Sequence, residues 1–379
     1  MKILFTTFNK FGFGTNIRAV LLASEFCQLG HDVTVMFASY DKKFQYQGVG
    51  TLRHLGFPWK FHFLNGYNLS EAFARKRWVG KHKFDIVHAF EMRPTCAIPA
   101  FKAERNGAII VNDWADWFGR GGSVEERNNP LSRMILRPLE TYNERQLRLK
   151  TKATTTICSQ LFNMATEMGF GGKQLLQLYN GFNREALIPL SKTEAREMLN
   201  LDQNARIAGC LGAFFAKDFD LLKQAAKICN EKEPIQFFHI GRSNLAVADE
   251  DLKTTGPLED KRKGYYLQAC DILLLPMADI PANHGRFPLK FSEYISTGHP
   301  VLTTRVGDVP KFVEAFACGY VSEPNPQDFA KTLLEAFDNP QDIEKRGQNA
   351  LHLSQSPEHS WKNRALDLQT FYENLLMDS

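Results

Sequence analysis

Cysteine is sparse and scattered in this chain: seven residues in 379, with no Cys-x-x-Cys pair. That spacing gives no footing to a thiolate metal site or a dithiol redox centre. Cys27, Cys96, Cys158, Cys210, Cys229, Cys270 and Cys318 mostly stand inside apolar runs, so buried, reduced thiols and a cytoplasmic location are expected. No segment is apolar over the length a bilayer demands. The opening Met1-Lys-Ile-Leu-Phe-Thr-Thr-Phe8 lacks the longer apolar core and cleavage site of a signal peptide. A net charge of +4 is too small to argue for nucleic acid as a partner. Gly12-Phe-Gly14 follows the first apolar run but leaves Gly-x-Gly-x-x-Gly incomplete, which removes support for a dinucleotide fingerprint.

What is present is alternation. Strand-like runs at 3–8, 32–37, 86–89, 109–112, 154–157 and 175–178 are separated by amphipathic stretches such as 17–29 and 136–148. The pattern restarts near residue 205 with runs at 207–211, 236–240, 272–275 and 301–304. Such alternation predicts α/β domains with parallel sheets, and a chain this long suits two of them. Asn180-Gly-Phe-Asn183 is a turn signal, placing a linker at about 182–203. Two Rossmann-like domains facing each other across a cleft are expected.

The most informative stretch is Arg286-Phe-Pro-Leu-Lys-Phe-Ser-Glu-Tyr294, closed by Gly298-His-Pro300 and a buried run from Val301. It reads as a loop turning into a short helix. The first amides of a helix have no intrahelical acceptor and carry a partial positive charge, which suits a phosphate. Lys290 adds a cation in the first turn, and Glu293 follows three residues later on the same face. Amides and a cation for a diphosphate, with a carboxylate for ribose hydroxyls, make a nucleotide-diphosphate clamp. The alternative is an ordinary helix start with a solvated Lys and Glu.

This stretch resembles the donor-sugar motif of retaining GT-B glycosyltransferases of family 4. Further pieces of that family appear in order along the chain: Leu29-Gly-His-Asp-Val-Thr-Val35, Phe84-Asp-Ile-Val-His88, Tyr179-Asn-Gly181, Gly209-Cys-Leu-Gly212 with Lys217, His239-Ile-Gly241, Gly256-Pro-Leu258 and Cys270-Asp-Ile-Leu-Leu-Leu-Pro276. The resemblance implies an acceptor-binding domain over 1–182, a nucleotide-sugar domain over 183–358, and a last helix over 359–379 crossing back to the first. It departs from the family at Gly285, where a Glu is usual, and at Ala213, where an Arg often stands. Asn283, His284 or Arg286 are candidates to replace the missing Glu.

On that resemblance, Gly14, Gly212 and Gly241 let backbone approach the donor, Lys217 neutralises the leaving diphosphate, and Arg242 reaches the nucleotide. Leu258 holds the base through backbone groups, Leu289 and Lys290 present amides to the diphosphate, Arg286 contacts the sugar, and Glu293 accepts from the ribose. For Gly14 a tight turn, and for Lys217 and Arg242 a surface cation, are the alternative readings. Asp113-Trp-Ala-Asp116-Trp-Phe-Gly-Arg120 is rich in aromatic and charged groups suited to a carbohydrate acceptor. It makes Asp113 and Asp116 catalytic or orienting candidates, with Trp114, Trp117, Arg120 and His88 on the acceptor side. A capped helix start over a buried Trp explains the same run. Asn180 is expected to fix the interdomain hinge.

Asp249-Glu-Asp251 superficially resembles a metal clamp but lacks a buried strand before it, so no metal and no cofactor are expected. Two basic regions, Arg75-Lys-Arg77 with Lys81 and Lys83, and residues 133–152 with Arg133, Arg137, Arg145, Arg148, Lys150 and Lys152, are candidates for peripheral contact with an anionic membrane. The expected activity is retaining transfer of a hexose, glucose as the guess, from a UDP-sugar to a glycan or lipid-linked saccharide acceptor. The alternatives are a non-catalytic nucleotide-sugar-binding partner of another transferase and a sugar-nucleotide epimerase.

Overall fold

A computed structural model describes residues 1–39, 45–58, 65–182, 190–243 and 250–378. The chain divides into two compact units, Met1–Asn180 with Trp361–Ser379, and Gly181–Ser360. Part of the expected linker (183–189) and Asp249 lie outside the described residues.

The first unit is built on an eight-stranded sheet: β1 (Lys2–Lys10), β2 (Asp32–Ser39), β3 (Gln45–Val49), β4 (Leu52–Pro58), β5 (Ile86–Phe90), β6 (Ile109–Trp114), β7 (Ala153–Thr156) and β8 (Leu175–Gln177). Their spatial order is β3-β4-β2-β1-β5-β6-β7-β8. All neighbours pair in parallel except the β3–β4 hairpin. Val33, Val35, Ile86, Val87 and Val111 are fully buried, as expected of strands covered on both faces by helices. The closing helix Trp361–Met377 packs within this unit: Tyr372 stacks on Phe26 at 5.6 Å between centroids and its hydroxyl lies 2.5 Å from His88 Nδ1.

The second unit carries β9 (Ile207–Leu211), β10 (Gln236–Ile240), β11 (Leu252–Thr254), β12 (Ile272–Leu275), β13 (Val301–Thr304) and β14 (Gly319–Ser322), in the order β11-β10-β9-β12-β13-β14 and all parallel. Its core interleaves Leu222, Ala226 and Cys229 with Leu274, Leu302 and Phe329. Strand order reverses between β9 and β12. In an open parallel sheet the loops leaving the carboxyl ends at that reversal splay apart and form a ligand crevice. Here those loops begin at Gly212 and at Pro276.

Two fully buried arginines overturn part of the basic-patch reading. Arg75 bonds the Thr7 carbonyl at 2.7 Å and pairs with Glu71, and Arg148 pairs with Glu91 at 3.2 Å. A guanidinium committed inside the protein cannot meet a membrane.

Candidate functional site

In the second unit β9 is followed by Gly212, whose φ of 67° lies in the left-handed region that glycine adopts freely. The chain turns there into the helix Ala216–Asn230. The His239 ring bonds the Gly212 carbonyl (2.7 Å), which fixes the turn from the neighbouring strand. Opposite stands the Leu289–Ser296 helix. The amides of Leu289 and Lys290 are its first two, out of reach of any intrahelical carbonyl. Tyr294 is fully buried, and its hydroxyl accepts from the Leu211 amide at 2.7 Å, tying this helix to the end of β9.

Lys290 therefore leans over the Gly212 turn. Its Nζ donates to the Ala213 carbonyl and sits 3.5 Å from the centre of the Phe214 ring. Burial, followed by the nearby Arg286 charge, pulls its pKa down from 10.5 to about 7. A cation short of counter-charge at a helix N-terminus is a receptor for an anion. Glu293, one turn on, is half-exposed with Lys263 Nζ 3.8 Å away, and its crowded surroundings raise its pKa.

Asp218 is the organising residue that the sequence pattern concealed. It is fully buried, and its carboxylate accepts from the Ala278 amide (2.8 Å), Asn283 Nδ2 (2.7 Å) and Arg286 (2.8 Å). It thereby pins the segment that carries Gly285 against the first loop. Arg286 also lies over the Phe215 ring at 4.6 Å. Arg286 Nε and Asn283 Oδ1 are buried without a protein partner among the described residues. Orphaned donors and acceptors are costly, and a ligand would complete them.

Lys217 is exposed in the first turn of its helix, and Arg242 is exposed just beyond β10. Gly241 bridges Gly256 and donates to Thr255 Oγ1 (2.9 Å), setting the approach to the half-buried Leu258. Gly212, Lys290 and Arg286 thus share one corner, and Gly241, Leu258 and Glu293 lie along the same carboxyl edge. Cavities lined by Arg206, Gln236 and His299 open at the amino edge instead.

The first unit corrects three expectations. Asp113 is fully buried and held by Arg18 through two bonds (3.0 and 3.1 Å) and by Thr155 (2.6 Å). Burial alone would raise its pKa, but Arg18 and its other partners outweigh this and hold it low. An ion-paired carboxylate with no solvent access cannot touch a substrate. His88 is likewise fully buried between Tyr372 and Thr155, and burial lowers its pKa to about 4, so it is neutral. Trp114 is buried too, its indole donating to Glu144 (3.2 Å) under the Arg148 guanidinium. Asn180 accepts from Arg18 (3.0 Å) and so belongs to this same buried network.

Asp116 and Trp117 are half-buried and Arg120 is exposed, so the outer part of the aromatic loop remains at the surface. Two acids hold it from beneath. Glu91 accepts from the amides of Ala115 (2.8 Å) and Asp116 (3.4 Å); Glu144 accepts from those of Phe118 (2.5 Å) and Gly119 (2.8 Å). Burial lifts Glu91 to about 8 and Glu144 to about 7. A Cβ on Gly119 would fall 2.3 Å from the Glu144 carboxylate, which is why glycine stands there. Truncating Glu144→Ala orphans three donors, so a loss of about 3 kcal/mol is expected, with faster amide exchange confined to residues 115–122. On β1's side, Gly14 has φ 53°, and a Cβ there would meet the Asn9 side chain at 2.9 Å. Asn9 in turn accepts from the Thr15 amide (3.1 Å), shaping the loop.

Two parallel-sheet α/β halves with loops gathered at strand carboxyl ends define the GT-B architecture. Solved structures share it. Sucrose-phosphate synthase from Thermosynechococcus elongatus aligns with a TM-score of 0.79 at 15% identity, covering 100% of both chains. HepE from Anabaena, in complex with UDP and glucose, aligns with a TM-score of 0.71 at 14% identity, covering 99% of this chain and 100% of that one. Residues 14–186 match the family described as Glycosyltransferase Family 4, and residues 191–352 that described as Glycosyl transferases group 1. The chain therefore carries domains of these two descriptions on the GT-B fold. It is also 25% identical over 232 residues to TuaH, a glycosyltransferase assigned to teichuronic acid biosynthesis in Bacillus subtilis. That match spans 58% of this chain and 56% of the relative, little more than half its length.

Proposed function

We propose that the protein transfers a hexose, with retention, from a UDP-sugar to a glycan or lipid-linked saccharide, without a metal ion. The observation that carries the reading is the corner made by the Gly212 turn and the Leu289–Ser296 helix. It offers two unpaired first-turn amides, a charge-starved Lys290 and the partnerless Arg286 Nε. These groups suit a diphosphate and the sugar joined to it. HepE, of the same fold, binds UDP and glucose, which favours UDP as the nucleotide and glucose as the first sugar to try. TuaH's assignment favours a surface polysaccharide as the product.

In this mechanism the main-chain amides and Lys290 take up charge as the diphosphate departs, and the exposed Lys217 adds a second cation. An oxocarbenium-like sugar forms, and the acceptor hydroxyl attacks on the face the diphosphate leaves, passing its proton to the leaving phosphate. In this reading the amides and the two lysines stand in the place a metal ion would otherwise take. Glu293 fixes the nucleotide through the ribose. Glu293→Ala is expected to weaken UDP binding at least tenfold by calorimetry, about 1.4 kcal/mol. Unchanged affinity would remove the ribose role. A thermal-shift panel of UDP- and GDP-sugars tests the nucleotide directly, and slow release of UDP from a UDP-hexose separates an enzyme from a binding partner.

A further inference from the structure

We propose that the helix Pro130–Tyr142 docks the protein on an anionic bilayer, with a lipid phosphate seated among Arg120, Arg137 and Arg145. On this helix Leu131, Met134, Ile135, Leu139 and Tyr142 recur at i, i+3, i+4, i+8 and i+11, which places them along one stripe. Such a stripe normally faces the core. Here it faces out: each of the five is between 42% and 66% exposed. The helix is held from its other side by buried Leu136 and by Glu140, whose carboxylate pairs with Arg93 at 2.7 Å. Among the described residues its apolar face has no protein partner.

Beside that stripe lies an open cavity of about 370 Å³ lined by Arg120, Arg137, Tyr142 and Arg145. Thr141 sets its floor, accepting from the Arg120 amide (2.9 Å) and donating to the Arg137 carbonyl. Three arginines line it and no acid does; Arg137 pairs with Glu125 at 2.8 Å, and neither Arg120 nor Arg145 has an ion pair among the described residues. The cavity therefore keeps an excess of positive charge. An apolar stripe flanked by arginines matches the interface of an anionic membrane, where acyl chains take the stripe and headgroup phosphates take the cations. A two-fold contact between copies is disfavoured, because it would bring these arginines towards their own counterparts.

This deepens the lipid-linked acceptor reading above but does not depend on the donor nucleotide. The test is flotation of the full chain with phosphatidylcholine vesicles, with and without phosphatidylglycerol, using wild type, Ile135→Asp and Arg145→Glu. Wild type should float with the anionic vesicles and stay down with neutral ones. Arg145→Glu should lower partition roughly 25-fold, about fivefold for each of the two units of charge. Ile135→Asp should abolish flotation, and both variants should still bind UDP, which shows them folded. Wild type that fails to float, floats equally with neutral vesicles, or floats no better than the variants overturns the proposal. So does a concentration-dependent dimer that Ile135→Asp dissociates, since the stripe would then belong to a second copy. Loss of UDP binding in wild type would instead strike the donor reading alone.

Discussion

Replacing Lys290 with methionine is expected to lower the rate of sugar transfer by roughly a hundredfold or more, the usual scale for removing a charge-stabilising donor from a transferring centre. Lys290 sits between the Ala213 carbonyl and the Phe214 ring with Arg286 nearby, and burial with that second cation takes its pKa to about 7. A bound diphosphate supplies the missing counter-charge and raises the pKa again. The sign follows. Below pH 7 the amine is already protonated and affinity for a UDP-hexose is flat. Above pH 7 binding must take up a proton, so affinity falls by up to tenfold per pH unit until the pKa of the complex is reached. The empty protein responds the opposite way. Between about 7 and 10.5 the unfolded chain keeps a proton that the folded chain has lost, so stability without ligand rises with pH. Calorimetry from pH 6 to 9, in buffers of different ionisation enthalpy, reads both the affinity and the proton uptake. Lys290→Arg should bind with no slope in this range. The same slope in wild type and Lys290→Arg would assign the titration to another group.

The parts of this molecule legible in the sequence are those where one physical cause dominates. Ten strands announce themselves because a parallel strand buried on both faces is a short continuous apolar run. The β3–β4 hairpin does not: β3 is an edge strand carrying Gln45 and Gln47, and in its neighbour β4 Arg53 and His54 interrupt the apolar run. β11 is three residues long, too brief for any period to show. At the Gly212 corner the Lys290–Glu293 spacing was readable because helix geometry alone sets it. Asp218 was not. An acid in the first turn of a helix ordinarily marks a favourable dipole contact, and nothing local shows that this one is buried against Asn283 and Arg286, more than sixty residues on. Asp113 and Trp114 misled for the same reason. Their composition suits a sugar platform, but they complete β6, and strand residues covered on both faces point into the core. The correcting partner, Arg18, lies 95 residues away.

That pair sets the largest expected effect on stability. Asp113→Ala should destabilise the first unit by about 3–5 kcal/mol, because it strands the Arg18 guanidinium in the interior, with Asn180 and the Leu178 carbonyl as its remaining partners among the described residues. Replacing both partners with leucine should cost far less, since no uncompensated charge remains. The pH dependence has a definite sign. Asp113's folded pKa is depressed, so its contribution is complete above the ordinary carboxylate range and is lost only as pH falls through the folded value. Stability near neutrality is then insensitive to this group, whereas acid unfolding should begin at higher pH in Asp113→Ala. Urea titrations of wild type, Asp113→Ala and the double leucine variant measure all three quantities. UDP affinity, which the proposed function assigns to groups of the second unit, should be unchanged wherever the variant is folded. If Asp113→Ala instead kept the wild-type midpoint while losing transfer, the carboxylate would be acting on substrate, and its placement as a core ion pair would be wrong.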